Sequence, residues 1–176
     1  MTETQIVWIK QLKKGNELAA FNLYNSYAKA MYSTLTRMTN DNDVAKDLLQ
    51  EAFVRAFRKI GDLEDPMAFA GWLKRIVVNI GLEYVRKRKI YFEDIQDQQD
   101  LKSEELDEKL VDNKTLHNAI KELPDGCRTV LCLHLLEGYK HREIAEQLGI
   151  TESTSKTQFR HAKQLLKTKL QHHYEY

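Results

Sequence analysis

The chain has 176 residues, room for one ordinary domain or two small ones. With 42% hydrophobic and 30% charged residues the composition is that of a soluble protein, no apolar run approaches the ~20 residues that span a bilayer, and no charged-then-apolar leader opens the chain. A cytoplasmic protein without membrane insertion is expected. The formal net charge of +1 hides a segregation: about +5 over residues 1–89, about −7 over 90–113 and about +3 over 114–176. Local charge decides nucleic-acid binding, so the near-neutral total does not argue against it.

Seven glycines and two prolines disfavour a turn-rich all-β fold and favour long helices. A first helix runs from Thr4 to Lys13 with Ile6, Trp8, Ile9 and Leu12, and stops at Gly15-Asn16. A second runs from Glu17 to about Met38, with Leu18, Phe21, Tyr24, Ala28, Met31 and Leu35 at helical spacing. The cluster Asn40-Asp41-Asn42-Asp43 supplies a turn and an N-cap for a helix reaching Ile60. After a loop over 61–65, Pro66 suits the first turn of a helix that continues through Trp72 to Arg88.

Residues 90–113 lose strong periodicity and gather Asp, Glu and Gln, which describes an acidic tether with too little apolar surface to order itself. Leu106, Leu110 and Val111 mark a helix starting late in it. A helix over Leu116 to Leu123 follows, then one begun by Pro124 and ended by Gly138. Cys127 and Cys132, five apart, fit neither a CxxC redox pair nor half a zinc knuckle, and His134 does not complete a ligand set. They read as buried thiols, and no metal site is expected.

The stretch from His141 to Arg160 has the layout of a helix-turn-helix. Ala145 sits where two helices must approach, Gly149 can take the positive φ that ends the first helix, and Ile144, Leu148, Ile150 and Phe159 form the apolar wedge. In such motifs the second helix enters the major groove of DNA and presents its early residues to base edges. Ser153, Thr154, Lys156, Thr157, Gln158, Arg160, His161 and Lys163 supply donors there. Gln158 and Arg160 suit bidentate base contacts, Lys156 and Lys163 suit phosphates, and His161 suits a neutral phosphate or water partner. Each phosphate contact adds about one unit to the salt slope of binding.

Two further faces are ambiguous on the residues alone. Val44, Ala45, Leu48, Leu49, Ala52, Phe53, Ala56, Phe57 and Ile60 make the core face of their helix, while Asp43, Asp47, Gln50, Glu51 and Val54 recur on another face. That second face is either a solvated acidic stripe near a helix N-terminus or a ridge for a partner. In the helix after Pro66, Phe69, Trp72, Leu73, Ile76, Val77, Ile80 and Tyr84 form the core stripe. Arg75, Asn79, Leu82-Glu83 and Arg86 form a second, running into Arg86-Lys87-Arg88-Lys89. That stripe is either a basic helix C-terminus or a phosphate-binding face with one amide to read a base.

At this point the residues carry a family resemblance. Asp43-x3-Asp47-Leu48-x-Gln50-Glu51-x-Phe53, followed by Trp72-Leu73-x2-Ile76-x2-Asn79-x3-Glu83-x2-Arg86-Lys87, resembles region 2 of bacterial extracytoplasmic-function (ECF) sigma factors. Leu123-Pro124 through Leu170, with Ile144-Ala145-x2-Leu148-Gly149-Ile150, resembles their region 4. The run Glu152-Ser153-Thr154-Ser155-Lys156-Thr157-Gln158 is similar to the variant seen in Bacteroidetes members. Two departures stand out: Glu83 replaces the Asp of many relatives, and Ser155 replaces an apolar residue on the buried side. The serine either weakens the wedge or bonds back to a carbonyl one turn earlier.

The resemblance implies that Asp43, Asp47, Leu48, Gln50 and Glu51 dock on the β′ clamp helices of RNA polymerase core, and that the β flap is a second polymerase contact. It implies that Arg75, Asn79, Glu83, Arg86 and Lys87 engage the −10 promoter element, with Asn79 at a position that reads a flipped non-template base. Trp72 shares the apolar stripe and reads as core packing in preference to a melting wedge. The donors of the second helix-turn-helix helix take the −35 element as duplex. An anti-sigma factor, often membrane-anchored, is the implied regulatory partner.

The expected architecture is all-α: region 2 over 1–89, an acidic flexible linker over 90–113, and a region 4 helix-turn-helix over 114–176. No nucleophile constellation or phosphate loop is visible, so neither an enzyme activity nor a cofactor is expected. The alternative is a helix-turn-helix regulator that binds an operator without polymerase, with the first lobe as a dimerisation or sensor module.

Overall fold

The computed structural model describes residues 1–88 and 112–174. Every regular element among them is helical, as the residue pattern predicts. The chain divides into two compact units, Met1–Lys87 and Arg88–Tyr176. The acidic tether up to residue 111, with Leu106, Leu110 and Val111, lies outside the described residues.

The first unit holds α1 (Glu3–Leu12), α2 (Glu17–Thr39), α3 (Asn42–Arg58) and α4 (Phe69–Lys87). Their starts follow from side chains that take up orphan N–H groups. Thr2 and Gln5 form a reciprocal capping box on α1, and Asn16 accepts from the Ala19 N–H at the start of α2. Between α2 and α3 the chain turns on two residues. Asn40 adopts the left-handed conformation (φ 54°), and the Asp41 carboxylate accepts from the N–H groups of Asp43 and Val44. Asn tolerates that region better than most residues, and Asp is among the best N-caps, so the turn follows directly from the sequence.

The four helices share one core. α3 buries Ala45, Leu49, Ala52, Phe53 and Ala56, and α4 buries Phe69, Leu73, Val77 and Ile80 against them. Tyr24 meets Phe53 edge-on at 4.8 Å, and Tyr27 meets Phe69 at 5.3 Å. Gly81 lets α4 lie close on α2, since a methyl group there would come within 2.7 Å of Met38 Sδ.

Three expectations are corrected. Leu18 and Phe21 do not join the buried stripe of α2 and stay 68% and 60% exposed. Ala19 and Leu23 take the inner face there, and at about 100° per residue Phe21 projects away from both. Pro66 opens a 3-10 turn over Pro66–Ala68, and α4 proper starts at Phe69. Leu82 is buried, so it does not belong to the polar stripe of α4.

The second unit holds α5 (Asn113–Lys121), α6 (Asp125–Leu131), α7 (His141–Leu148) and α8 (Glu152–Tyr174). The helix expected from Pro124 to Gly138 is α6 continued by a π-type turn, Cys132–Leu136. Ile120, Leu123, Cys127, Leu131, Cys132 and Ala162 form the core, with Phe159, Leu165 and Leu166 packed on it. Both cysteines are buried free thiols. Arg128, 1% exposed, donates to the carbonyls of Leu123 and Lys121 at the end of α5 and pairs with Asp125. A cation there satisfies C-terminal carbonyls and the negative end of the helix dipole together.

Asp41→Ala removes the acceptor for two α3 amides and is expected to cost the first unit about 1 kcal/mol. Both tryptophans, Trp8 and Trp72, lie in that unit, so tryptophan-detected urea unfolding reads it alone. An unchanged midpoint would remove the cap from the account of the turn.

Candidate functional site

Burying one face of α3 fixes what the opposite face offers. Asp43, Asp47, Gln50 and Glu51 are exposed at three- and four-residue steps, and Val54 continues the ridge at 48% exposure. Asp43 pairs with Lys46 at 2.9 Å. Leu48 is half-buried against the core, so it supports the ridge more than it forms it.

On α4, Arg75, Asn79, Arg86 and Lys87 are exposed. Glu83 is half-buried, and both its oxygens accept from Arg55 of α3 at 3.2 Å. Arg55 also donates to Glu51 at 2.5 Å. The ridge of α3 and the stripe of α4 therefore meet in one guanidinium. Those hydrogen bonds, Glu83 first and Glu51 second, raise the Arg55 pKa and hold it charged. Trp72 is half-buried and packs on the core with its ring 6.0 Å from Phe69, in keeping with the packing role expected of it.

Arg55 was not among the candidates. Its i,i+4 spacing from Glu51 is visible in the sequence. Its pairing with Glu83, 28 residues away, is not.

In the second unit Gly149 takes φ 68° and closes α7, with the Ile150 N–H returning to the Ala145 carbonyl at 3.1 Å. Thr151 then accepts from the Thr154 N–H at 3.0 Å and starts α8. Ile144, Ala145 and Leu148 are buried in the wedge, as the motif requires.

Beside half-buried Ile150, the wedge also holds polar and aromatic side chains. His141 stacks on His134 with ring centroids 4.1 Å apart, and both rings meet Phe159 edge-on. The Ser155 hydroxyl lies 2.9 Å from His141 Nδ1. The serine thus joins α8 to α7, in place of the expected bond back to a carbonyl one turn earlier. Burial pushes the His141 pKa down, and His134 and Lys156 add to this against an opposing effect of Glu152.

Along α8, Ser153, Lys156, Arg160 and Lys163 are exposed, and Thr154, Thr157 and His161 are half-buried. Lys156 pairs with Glu152 at 2.6 Å, and Lys163 lies 4.9 Å from the centre of the Phe159 ring. His161 Nδ1 lies 3.7 Å from Cys127 Sγ. Gln158 requires a correction. It is 2% exposed, and its Oε1 accepts from Cys127 Sγ at 3.0 Å, so its amide is committed to the core and is not presented to bases. Gln158 shares the inner face with Ser155 and Ala162, three and four residues away, whereas Arg160, two residues on and about 200° round the helix, faces out.

Residues 23–90 match the family Sigma-70 region 2, and residues 113–166 match Sigma-70, region 4. The ECF RNA polymerase sigma factor SigW of Bacillus subtilis is 31% identical, over 92% of this chain and 94% of its own length. The ECF RNA polymerase sigma-E factor of Haemophilus influenzae is 27% identical, over 93% of each chain. In fold, the chain is similar to CnrH in a structure with the cytosolic domain of CnrY (TM-score 0.52, 19% identity, 96% of this chain and 98% of that one). It is also similar to the sigma factor RpoE of Bartonella quintana in a co-crystal with the anti-sigma factor NepR (TM-score 0.52, 21% identity, 85% and 95%).

The lowered His141 pKa carries a sign. Unfolded, the imidazole takes up a proton near its ordinary 6.5; folded, it resists protonation until a lower pH. Its contribution to stability is therefore complete above 6.5 and is lost as pH falls through that value towards the folded one. Calorimetric unfolding of the second unit is expected to weaken on acidification from about pH 7.5 to about pH 5. His141→Gln is expected to flatten that dependence; an equal slope in the variant would exclude His141 as its source.

Proposed function

The chain belongs to the ECF sigma factors of RNA polymerase, proteins that direct the polymerase to promoters, and from that premise we propose how its faces divide the work. The ridge Asp43, Asp47, Gln50 and Glu51, supported by Leu48, binds the β′ clamp helices of core polymerase. Exposed carboxylates with an exposed Val54 among them suit a partner surface that is basic at its rim and apolar at its centre. The stripe Arg75, Asn79, Arg86 and Lys87, with Glu83, takes the melted −10 strand. Its cations hold phosphates and the Asn79 amide reads a flipped base.

In the second unit, α8 reads the −35 duplex. Arg160 makes the base contact, with Ser153, Thr154, Thr157 and His161 beside it. Lys156 and Lys163 hold phosphates, the first by exchanging Glu152 for a phosphate oxygen. Residues 1–89, 90–113 and 114–176 serve as region 2, linker and region 4 in this reading, with the β flap as the second polymerase contact. RNA synthesis stays with the core enzyme, and this chain needs no cofactor of its own. No helix among the described residues is long and apolar enough to cross a membrane, and we place the protein beside polymerase in the cytoplasm. An anti-sigma factor that covers the polymerase- and DNA-binding faces is its regulatory partner.

The observation that carries this reading is the placement of an exposed acidic ridge and an exposed cationic stripe with one amide on adjoining helices of one core. The experiment is transcription by purified core polymerase on a pool of promoter fragments, with and without the protein, which also yields the promoter. Asp47→Ala combined with Gln50→Ala is expected to lower initiation and core affinity at least about tenfold, equivalent to ~1.4 kcal/mol. Binding of the second unit to −35 duplex is expected to stay unchanged. Tight duplex binding without core, and no stimulated initiation, would overturn the proposal.

A further inference from the structure

We propose that Arg55 is a positioning residue that ties polymerase docking to −10 discrimination, by sharing one guanidinium between Glu51 on the docking ridge and Glu83 on the strand-binding stripe. This rests on the reading of α3 and α4 given above.

The geometry is a fork with a third arm. Nη1 and Nη2 of Arg55 each meet one oxygen of Glu83 at 3.2 Å, the paired arrangement that fixes a carboxylate in plane as well as in place. Nη2 also meets Glu51 one turn earlier on α3 at 2.5 Å. The three side chains are 43%, 38% and 45% exposed for Arg55, Glu83 and Glu51. Partners can reach them, and their ion pairs can exchange.

Glu83 is the anomaly that this arrangement explains. It stands among Arg75, Asn79, Arg86 and Lys87, where a free carboxylate would repel a phosphodiester strand. Paired with Arg55, its charge is offset and its oxygens are turned towards α3. The Glu83 side chain is long enough to cross from α4 to the guanidinium on α3.

Glu51 competes for the same cation. When the ridge docks, Glu51 finds cationic groups on the polymerase and gives up its share of Arg55, which then belongs to Glu83 alone. Docking thus strengthens the pair that keeps the −10 face clear of negative charge. A planar fork serves two carboxylates in this way, whereas a lysine ammonium is a point charge.

The test is open-complex formation by the reconstituted holoenzyme on the promoter recovered above, matched or substituted at the base read by Asn79. Arg55→Gln is expected to shrink the ratio of matched to substituted rates by about threefold to fivefold, the scale of an accessible ion pair. Arg55→Lys is expected to recover part of the ratio. The double variant Arg55→Gln with Glu83→Gln is expected to match Glu83→Gln alone, since Arg55 then has no charge to offset.

Equal slowing of both promoters by Arg55→Gln, together with a lower unfolding midpoint, would reduce the residue to a structural brace and overturn the proposal. Independent, additive losses in the double variant would overturn it as well. If Asn79→Ala leaves the ratio untouched, the reading of α4 fails and this proposal falls with it. A changed ratio in Asn79→Ala but not in Arg55→Gln sinks this proposal alone.

Discussion

The first unit depends on how closely α3 lies on α4. Three alanines of α3, Ala45, Ala52 and Ala56, are fully buried in the core that α3 shares with α2 and α4, where small side chains let neighbouring helices approach, and Phe53 fills that core against Tyr24 of α2. That contact serves more than stability. It sets the outward faces of the two helices side by side, so that carboxylates on one and cations on the other become neighbours. Arg55 closes the seam between them with bonds to both. An amphipathic helix has one buried face, and choosing that face chooses what the remainder can offer a partner.

The second unit solves a different problem. A helix-turn-helix this small has little apolar surface to bury, and here polar side chains take structural places. Arg128 gathers the carbonyl end of α5 and the start of α6 in one buried guanidinium. Ser155 and His141 fasten α8 to α7, and the stacked His134 and the Phe159 edge complete the wedge. Gln158, turned inward onto Cys127, extends the same pattern along α8. Such a wedge is directional, because hydrogen bonds fix the rotation of α8 about its axis, whereas aliphatic packing alone tolerates slippage.

Under the proposed function, that rotation decides which donors α8 offers to a promoter. With Ser155 and Gln158 committed inward, Ser153, Lys156, Arg160 and Lys163 are the candidate donors left exposed, beside exposed Glu152 and Gln164. The set is short and strongly cationic. On the proposed reading of α8, affinity for duplex rests mainly on salt-sensitive phosphate contacts, and base discrimination is concentrated on few residues.

Much of this was legible without coordinates. Helix number and approximate limits followed from hydrophobic spacing, from the Asn-Asp turn at 40–41 and from Gly149, because caps and turns are local chemistry written in adjacent residues. The acidic ridge, the amide-bearing stripe and the family followed from two blocks of side chains in order. The outward turn of Leu18 and Phe21, the inward turn of Gln158, and the pairs Arg55–Glu83 and Ser155–His141 did not. Each of these is set by a neighbour far along the chain, and helical periodicity specifies a face only to within about one residue of phase. Which residue at the edge of a face goes in or out is decided by the helix that packs against it.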